Sequence, residues 1–480
     1  MKFPLHRLPA LALLGLLGLP LASSTHRDFM PAPPAPAQGG GSQPDPQVIA
    51  QFGLYNNPTL QRLIDEKGQQ MNKISDRPGQ YGFTIVDSPM INAFATPQGH
   101  VYFTRGIMVH FNSEAQFAGV LGHELGHITA RHGQKQQTRG TITQGAILLG
   151  SILSRRVASV AQPISQVAGI GLLKYGRDDE RESDKLGVKY STKIGYDASQ
   201  MADFFQTLER NTQASGGGGG MPTFLSSHPN SADRYRTVKG LAAQAKQNAG
   251  GTRLEVGRNS YLRMLEGVPY GEDPRQGFVE GGVFYHPDLK FRFPVPAGWR
   301  SQNSPQQFQM AEPNGKALLV FMGAPGNTLD EAARALAKGI GLQQGGQAQQ
   351  TTINGFPALV FEGDQQGQQG QAGAHVLAQL IQDGQTIYAF IGLASPQSFG
   401  TYARQFQGVA GSYARLTDAS KLNRQSEKIR IRTATGNQTL DQALAAAGVP
   451  AGRREELAVL NGMQRADRLA AGTLYKVVGR

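Results

Sequence analysis

The stretch Val120-Leu-Gly-His123-Glu124-Leu-Gly-His127-Ile-Thr-Ala-Arg131-His132 commits this chain to a chemistry more firmly than any other. It contains H-E-x-x-H. On a helix of 3.6 residues per turn, His123 and His127 lie about 40° apart on one face. Two imidazoles so placed can meet one zinc ion at roughly 2.0–2.1 Å. Glu124, next to the first of them, falls beside the ion's open position, where a carboxylate can take a proton from water. The surroundings read as a helix: Phe117, Val120, Leu121, Leu125 and Ile128 form an apolar stripe, and Asn112-Ser113-Glu114 supplies an N-cap. Gly122 and Gly126 each cost about 1 kcal/mol against Ala, which makes sense if another backbone passes close by. The bland alternative, an amphipathic helix with two surface histidines, leaves the spacing and the glycines without a purpose.

A zinc hydrolase uses three protein ligands and keeps a fourth position for water. His132 lies about 140° round a continuing helix from His127, so it reads as a capping or packing residue. Ala130 and Gly133 stand where the metzincin pattern wants a Gly and a third His. Downstream, Tyr175-Gly-Arg-Asp-Asp-Glu180-Arg-Glu182-Ser-Asp184-Lys-Leu-Gly187 offers a second helix. Glu180 and Asp184 would share a face one turn apart, Glu180 as the third ligand and Asp184 orienting a histidine ring. A charged, solvated helix face is the alternative for the same run.

H-E-L-G-H followed some fifty residues later by E-R-E-S-D resembles the gluzincin family of prenyl-protease and HtpX-type metallopeptidases, whose second motif is E-x-x-x-D. Asn92-Ala-Phe-Ala-Thr-Pro97-Gln-Gly99-His100-Val-Tyr-Phe-Thr-Arg-Gly106 is similar to that family's N-A-F hairpin. Ser227-His228-Pro229 through Arg234 is similar to its H-P-x-x-x-x-R element. The motifs stand in family order over residues 48–240. Ser183 replaces the usual Ala, and Thr96 and Gln98 flank a proline normally followed by Gly; neither departure removes a ligand. The resemblance implies a mainly helical zincin-type metalloprotease domain with a small edge-strand sheet, and one zinc per chain on His123, His127 and Glu180. It implies Glu124 and His228 as catalytic groups, and Asp184 and Arg234 as residues bracing the ligands. Asn92, Ala93, Phe94 and Ala95 would be the edge on which a polypeptide substrate lies. The missing membrane spans of the HtpX branch point to the soluble, secreted, BepA-like branch.

A zinc so held would lower the pKa of its water from about 15.7 to roughly 7 and polarise the scissile carbonyl. Glu124 would act as general base and then deliver the proton to the leaving amine. Main-chain pairing on an edge strand implies loose sequence preference, which suits clearing misfolded envelope proteins. His228 follows the five glycines Gly216–Gly220 and precedes Pro229. It has slack to swing in as a latch on the fourth position, or towards the carbonyl oxygen as an oxyanion donor; plain helix capping is the alternative. A second class of function stays open: an envelope- or peptidoglycan-binding or chaperone-like protein whose protease site is latent.

Residues 1–24 read as a secretory signal, with Lys2, His6 and Arg7 before the apolar run Leu8 to Leu21 and then Ala22-Ser-Ser. That run falls short of the roughly 20 apolar residues that span a bilayer. The mature chain is therefore expected in the periplasm or extracellular envelope with no transmembrane helix. The chain has no cysteine, which excludes disulfides and a lipoprotein anchor. Residues 25–47 form a Pro/Gly-rich linker, 48–250 the peptidase domain with a helix over 58–75 and a strand at Tyr81–Val86, and 251–280 a connector. The low-charge stretch Thr141 to Leu173, apolar over Ile142 to Leu153 and interrupted at Arg155-Arg156, reads as helices covering the site or touching a lipid surface. Residues 281–416 carry alternating runs around one helix at Leu329–Ile340, an α+β unit with an antiparallel sheet; its Phe293–Trp299 turn resembles PsbP/Mog1-like modules. Residues 425–480 are similar to a LysM-like βααβ unit. The overall class is α+β. Net charge is +12, from 47 Lys and Arg against 35 Asp and Glu. Without the aromatic–basic interleaving of a nucleic-acid binder, the surplus points to an anionic envelope surface or to no partner.

Overall fold

A computed structural model of the chain describes residues 43–138, 175–214, 223–228, 231–342, 348–365 and 373–480. The expected secretory signal, the Thr141–Leu173 stretch and the five-glycine stretch lie outside them. No helix among the described residues is long and apolar enough to cross a membrane. The fold mixes helices with several sheets, as an α+β class requires.

Helices α1 (Pro46–Phe52) and α2 (Pro58–Ile74) each open on a side-chain cap. Asp45 accepts the Gln47 N–H and Asn57 accepts the Leu60 N–H. Each carries Pro in its first turn, where a missing N–H goes unnoticed. Leu60, Leu63, Ile64 and Met71 of α2 recur at helical spacing and are buried. Strand β1 (Gly82–Val86) pairs parallel with β3 (His100–Thr104), and β2 (Ala93–Ala95) lies antiparallel to β3 with Ala93 opposite Phe103. The order β1-β3-β2 leaves β2 at the sheet edge.

After α3 (Arg105–His110) comes α4 (Glu114–Thr129), capped by Ser113, which accepts the Gln116 N–H. Every residue from Ala115 to His127 is buried, so α4 is the axis of the body. The chain turns at Arg131, whose φ is 58°, into α5 (His132–Thr138). Around α4 lie α6 (Arg177–Lys193), α7 (Ser199–Ala214), α8 (Thr223–Ser227), α9 (Ser231–Asn248) and α10 (Arg258–Met264). The glycines of α4 now have their reason. A Cβ on Gly122 would sit 3.0 Å from the Gly187 carbonyl oxygen, and one on Gly126 would sit 3.2 Å from the Ser183 Cα. Helices α4 and α6 thus cross with their backbones in contact, and that closeness brings the α6 carboxylates up to the α4 histidines.

The next unit begins with β4 (Phe278–Glu280), β5 (Val283–His286) and β6 (Phe291–Pro294), then β7 (Arg300–Asn303), β8 (Gln307–Ala311) and β9 (Ala317–Gly323). Helix α11 (Leu329–Gly339) leads to β10 (Gln349–Ile353), β11 (Phe356–Asp364), β12 (His375–Asp383) and β13 (Thr386–Ala394). Helix α12 (Pro396–Gly411) and β14 (Ala414–Arg415) end it. The strands make a seven-stranded sheet, β10-β11-β12-β13-β9-β8-β7, and a four-stranded one, β14-β6-β5-β4. Central β13 is buried on both faces, as its near-continuous apolar run requires. Ile387, Ala389, Ile391 and Leu393 meet the α11 side, while Tyr388 and Phe390 meet the aromatic core shared with the second sheet.

The final unit has β15 (Lys428–Thr433) antiparallel to β18 (Leu474–Gly479), with β16 (Gln438–Thr439), α13 (Leu440–Ala446), α14 (Arg454–Leu460) and β17 (Arg468–Leu469) between them. It does not stand apart. Ile429, Leu444, Leu457, Leu460, Tyr475 and Val477 belong to the same apolar core as α2, α4 and α7. Buried Lys476 donates to the carbonyls of Val109 (2.8 Å) and Phe111 (3.1 Å), just ahead of α4. Burial, with Arg258 nearby, holds that amine well below the usual lysine range.

Candidate active site

One ligand-type atom from each of His123, His127, Glu180 and His228 lies within 4.8 Å of the others, and all four residues are buried. One helical turn of α4 sets the two imidazoles edge to face, with Nε2 atoms 3.0 Å apart. The Glu180 carboxylate reaches across from α6, 3.6 Å from His123 Nε2 and 3.5 Å from His127 Nε2. His228 follows α8 and sets Nδ1 2.9 Å from Glu180 Oε1 and 3.3 Å from His123 Nε2. Its Nε2 lies 3.5 Å from Glu124 Oε1, and its ring stacks on Phe224 one turn earlier.

Asp184, one turn after Glu180, sets Oδ1 3.0 Å from His123 Nδ1. That carboxylate can only accept, so His123 carries its proton on Nδ1 and turns the Nε2 lone pair into the cluster. Arg234 donates to both Asp184 oxygens (2.9 and 2.7 Å) and pairs with Glu180 at 3.1 Å, while its guanidinium lies over the Phe205 ring. Burial would raise the Glu180 carboxyl, but His228 and Arg234 outweigh it and hold the group below its ordinary value. Glu124 goes the other way. Burial pushes its carboxyl up against the pull of His228 and His123, and among the described residues neither of its oxygens has a hydrogen bond. Burial and the neighbouring His123 hold His127 well below the usual histidine range. Two imidazoles and a carboxylate converging at this range, with buried polar atoms left over, fit a divalent cation.

The extrapolated helix puts His132 on the far side of α4, and the structure does not. The left-handed turn at Arg131 brings it back, so its Nδ1 lies 3.0 Å from His127 Nδ1. Tyr175 stacks on the His127 ring at 3.7 Å. It belongs to no motif, and an aromatic residue just ahead of the second helix was its only signal. The N-A-F segment is split. Asn92 is fully buried, Ala93 joins the main core, and Phe94 turns into a separate cluster with Phe52 and Tyr102. Ala95 alone of the four lines the small cleft beside the site, with Thr96, Pro97, His127 and Tyr175. What β2 offers there is its main chain.

Such a fold and donor set define a buried H-E-x-x-H centre of the metallohydrolase kind. Residues 55–242 match the model of peptidase family M48. A putative beta-barrel assembly-enhancing protease of Vibrio cholerae serotype O1 is 30% identical over 204 residues, 40% of this chain and 41% of that protein. The beta-barrel assembly-enhancing protease of Escherichia coli K12 is 26% identical, covering 42% of each chain. The mitochondrial metalloendopeptidase OMA1 of Arabidopsis thaliana is 30% identical over 34% of this chain and 30% of its own. The chain thus spans less than half the length of these curated relatives. Among solved structures, cyanobacterial PsbP from Synechocystis is 15% identical with a TM-score of 0.24, covering 29% of this chain and 98% of that one; so slight a likeness bears no weight.

Proposed function

We propose that this protein is a zinc-dependent endopeptidase of the bacterial cell envelope, cleaving peptide bonds in misfolded or exported polypeptides. The observation that carries the reading is the convergence of His123, His127 and Glu180 beside a buried Glu124 that has no hydrogen-bond partner among the described residues. His123, His127 and Glu180 would hold one zinc ion, which when bound polarises a peptide carbonyl and eases ionisation of water. Glu124, its carboxyl raised by burial, would take a proton from the attacking water and deliver it to the leaving amine nitrogen. Asp184 and Arg234 would keep His123 in the tautomer that faces the ion. The main chain of β2 would pair with an extended substrate, which leaves sequence preference loose. The name shared by the bacterial relatives and the expected secretory signal support an envelope setting and a quality-control role.

The test is the Glu124→Gln variant of the full chain. Casein cleavage should fall by about 10²–10⁴-fold with one zinc per chain retained, while Glu180→Ala should lose most of its zinc. Undiminished cleavage by the first variant, or full zinc in the second, would falsify the assignment. His228 would act from its place beside Glu124 and Glu180. His228→Ala raises activity if the residue is a latch, lowers it about ten-fold or more if it is an oxyanion donor, and leaves it unchanged if it only caps a helix.

A second role rests on the two helices of residues 428–479, enclosed between the paired outer strands β15 and β18. This arrangement supports a LysM-like unit that holds the enzyme to peptidoglycan or an anionic envelope surface. Co-sedimentation of the full chain with cell wall, lost on charge reversal of Lys428, Arg432 and Arg468, tests it.

A further inference from the structure

We propose that His132 is a positioning residue for His127, fixing its tautomer and ring orientation through an imidazole–imidazole–carboxylate chain that ends on Glu182. The proposal rests on the reading of His127 as a metal ligand. For His127 Nε2 to offer a lone pair, the ring's proton must sit on Nδ1. The atom facing Nδ1 at 3.0 Å is His132 Nδ1. One of the two donates and the other accepts, so His132 accepts there and carries its own proton on Nε2. Glu182 Oε2 waits 3.1 Å from that Nε2, with Asp179 Oδ1 at 3.7 Å. Each assignment forces the next, and the chain closes on carboxylates that can only accept. The reversed tautomers fail twice. They put a proton on His127 Nε2, which leaves that atom no lone pair to offer as a ligand, and they turn a lone pair of His132 towards Glu182.

Two features of the fold make this contact. Arg131 in its left-handed turn starts α5 at His132, where a continuing helix would have carried the residue away. Helix α6 then braces both histidines of α4 from outside. Asp184 meets His123 directly, and Glu182 reaches His127 through His132. Ser183, in the position where the family's motif has Ala, adds a hydroxyl 3.3 Å from His132 Nδ1. The two braces differ. Asp184 is fully buried and tied to Arg234, whereas the Glu182 side chain is 53% exposed. The His127 side of the site is therefore held by the softer of the two.

Zinc affinity of the full chain, read by competition with a chromophoric chelator, separates the possibilities. His132→Phe keeps a buried ring and removes the acceptor, and should weaken zinc binding by about 10–100-fold. His132→Asn, whose side-chain oxygen can stand where Nδ1 stood, should recover to within about three-fold of the parent. In the zinc-loaded parent, nitrogen-15 NMR of labelled histidine should find His127 protonated at Nδ1 and His132 at Nε2. That measurement needs no variant, and it stands even where His132→Phe does not fold. The proposal fails if His132→Phe binds zinc as tightly as the parent, if Asn and Phe lose affinity equally, or if His132 is protonated at Nδ1. A parent chain that binds no zinc at all overturns the metal reading of the site, and this proposal with it, which is a different result from a tight parent with an unaffected variant.

Discussion

The body built on α4 and the antiparallel sheet domain of residues 278–415 each enclose a large core, but they bury different things. The body buries Glu124, Glu180, Asp184, Arg105, Arg234 and several histidines; the sheet domain, among its described residues, buries one histidine, His286, and no carboxylate, lysine or arginine. Its interior is rings instead, with Phe284 against Phe308 at 4.0 Å and Phe293 against Phe321 at 4.6 Å. Removing a charge from water is unfavourable by several kcal/mol unless it is paired. A fold that does so repeatedly at one point holds those groups for chemistry or for a ligand. The difference between the two regions teaches where to look for function, and it can be broken by experiment.

The largest expected effect is in the body. Arg234→Met leaves Asp184 and Glu180 buried without their cation and should destabilise the chain by about 3–5 kcal/mol, read as a lower urea midpoint, together with weaker zinc binding. Leu393→Ala in β13 should lower stability by about 2–4 kcal/mol through the cavity it leaves. Zinc affinity and turnover per folded molecule should stay at the parent's level, and loss of metal from this variant would erase the distinction between the regions. Gly122→Ala sits between the two classes. An added methyl 3.0 Å from the Gly187 carbonyl oxygen must push α4 and α6 apart, at a cost of about 1–3 kcal/mol. Its zinc affinity should fall as well, because Glu180 and Asp184 move with α6. At neutral pH the smallest effect belongs to His286, and it appears only in acid. Burial holds it at about 3 against an ordinary 6.5, so the unfolded chain takes up a proton first. Its contribution is intact above pH 6.5 and is lost as pH falls towards 3, by at most about 1.4 kcal/mol per pH unit. Acid titration of the unfolding midpoint should be flatter in His286→Leu.

The sequence made the donors legible because metal ligation restricts both residue type and spacing. His123, Glu124 and His127 on one helix and Glu180 with Asp184 on the next follow from the 3.6-residue turn alone. The strands in β9, β11 and β13 were legible from their apolar runs. His132 was not, because one residue in the left-handed region, Arg131, cancels the extrapolation of the helix. Nor was Tyr175, whose contact with His127 depends on how α6 approaches α4 rather than on any local pattern. The docking of residues 428–479 was illegible for a related reason. Their apolar positions look like those of a free-standing small unit, and only the partner surface near Val109 and Asn112 shows what they cover.

That docking also imposes an order in time. The hydrogen bond from Lys476 to Val109 joins residues 367 positions apart, and synthesis runs from the amino end. Helices α2 and α4 emerge early, then the whole sheet domain must be made before β15 and β18 arrive to close the wall beside α4. Until then Val109, Phe111 and Asn112, just ahead of α4, lack the hydrogen-bond partners that Lys476 and Leu460 later supply. Contacts of such long range form slowly, so a nascent or truncated chain can carry His123, His127, Glu180 and His228 and still lack the finished enclosure beside them.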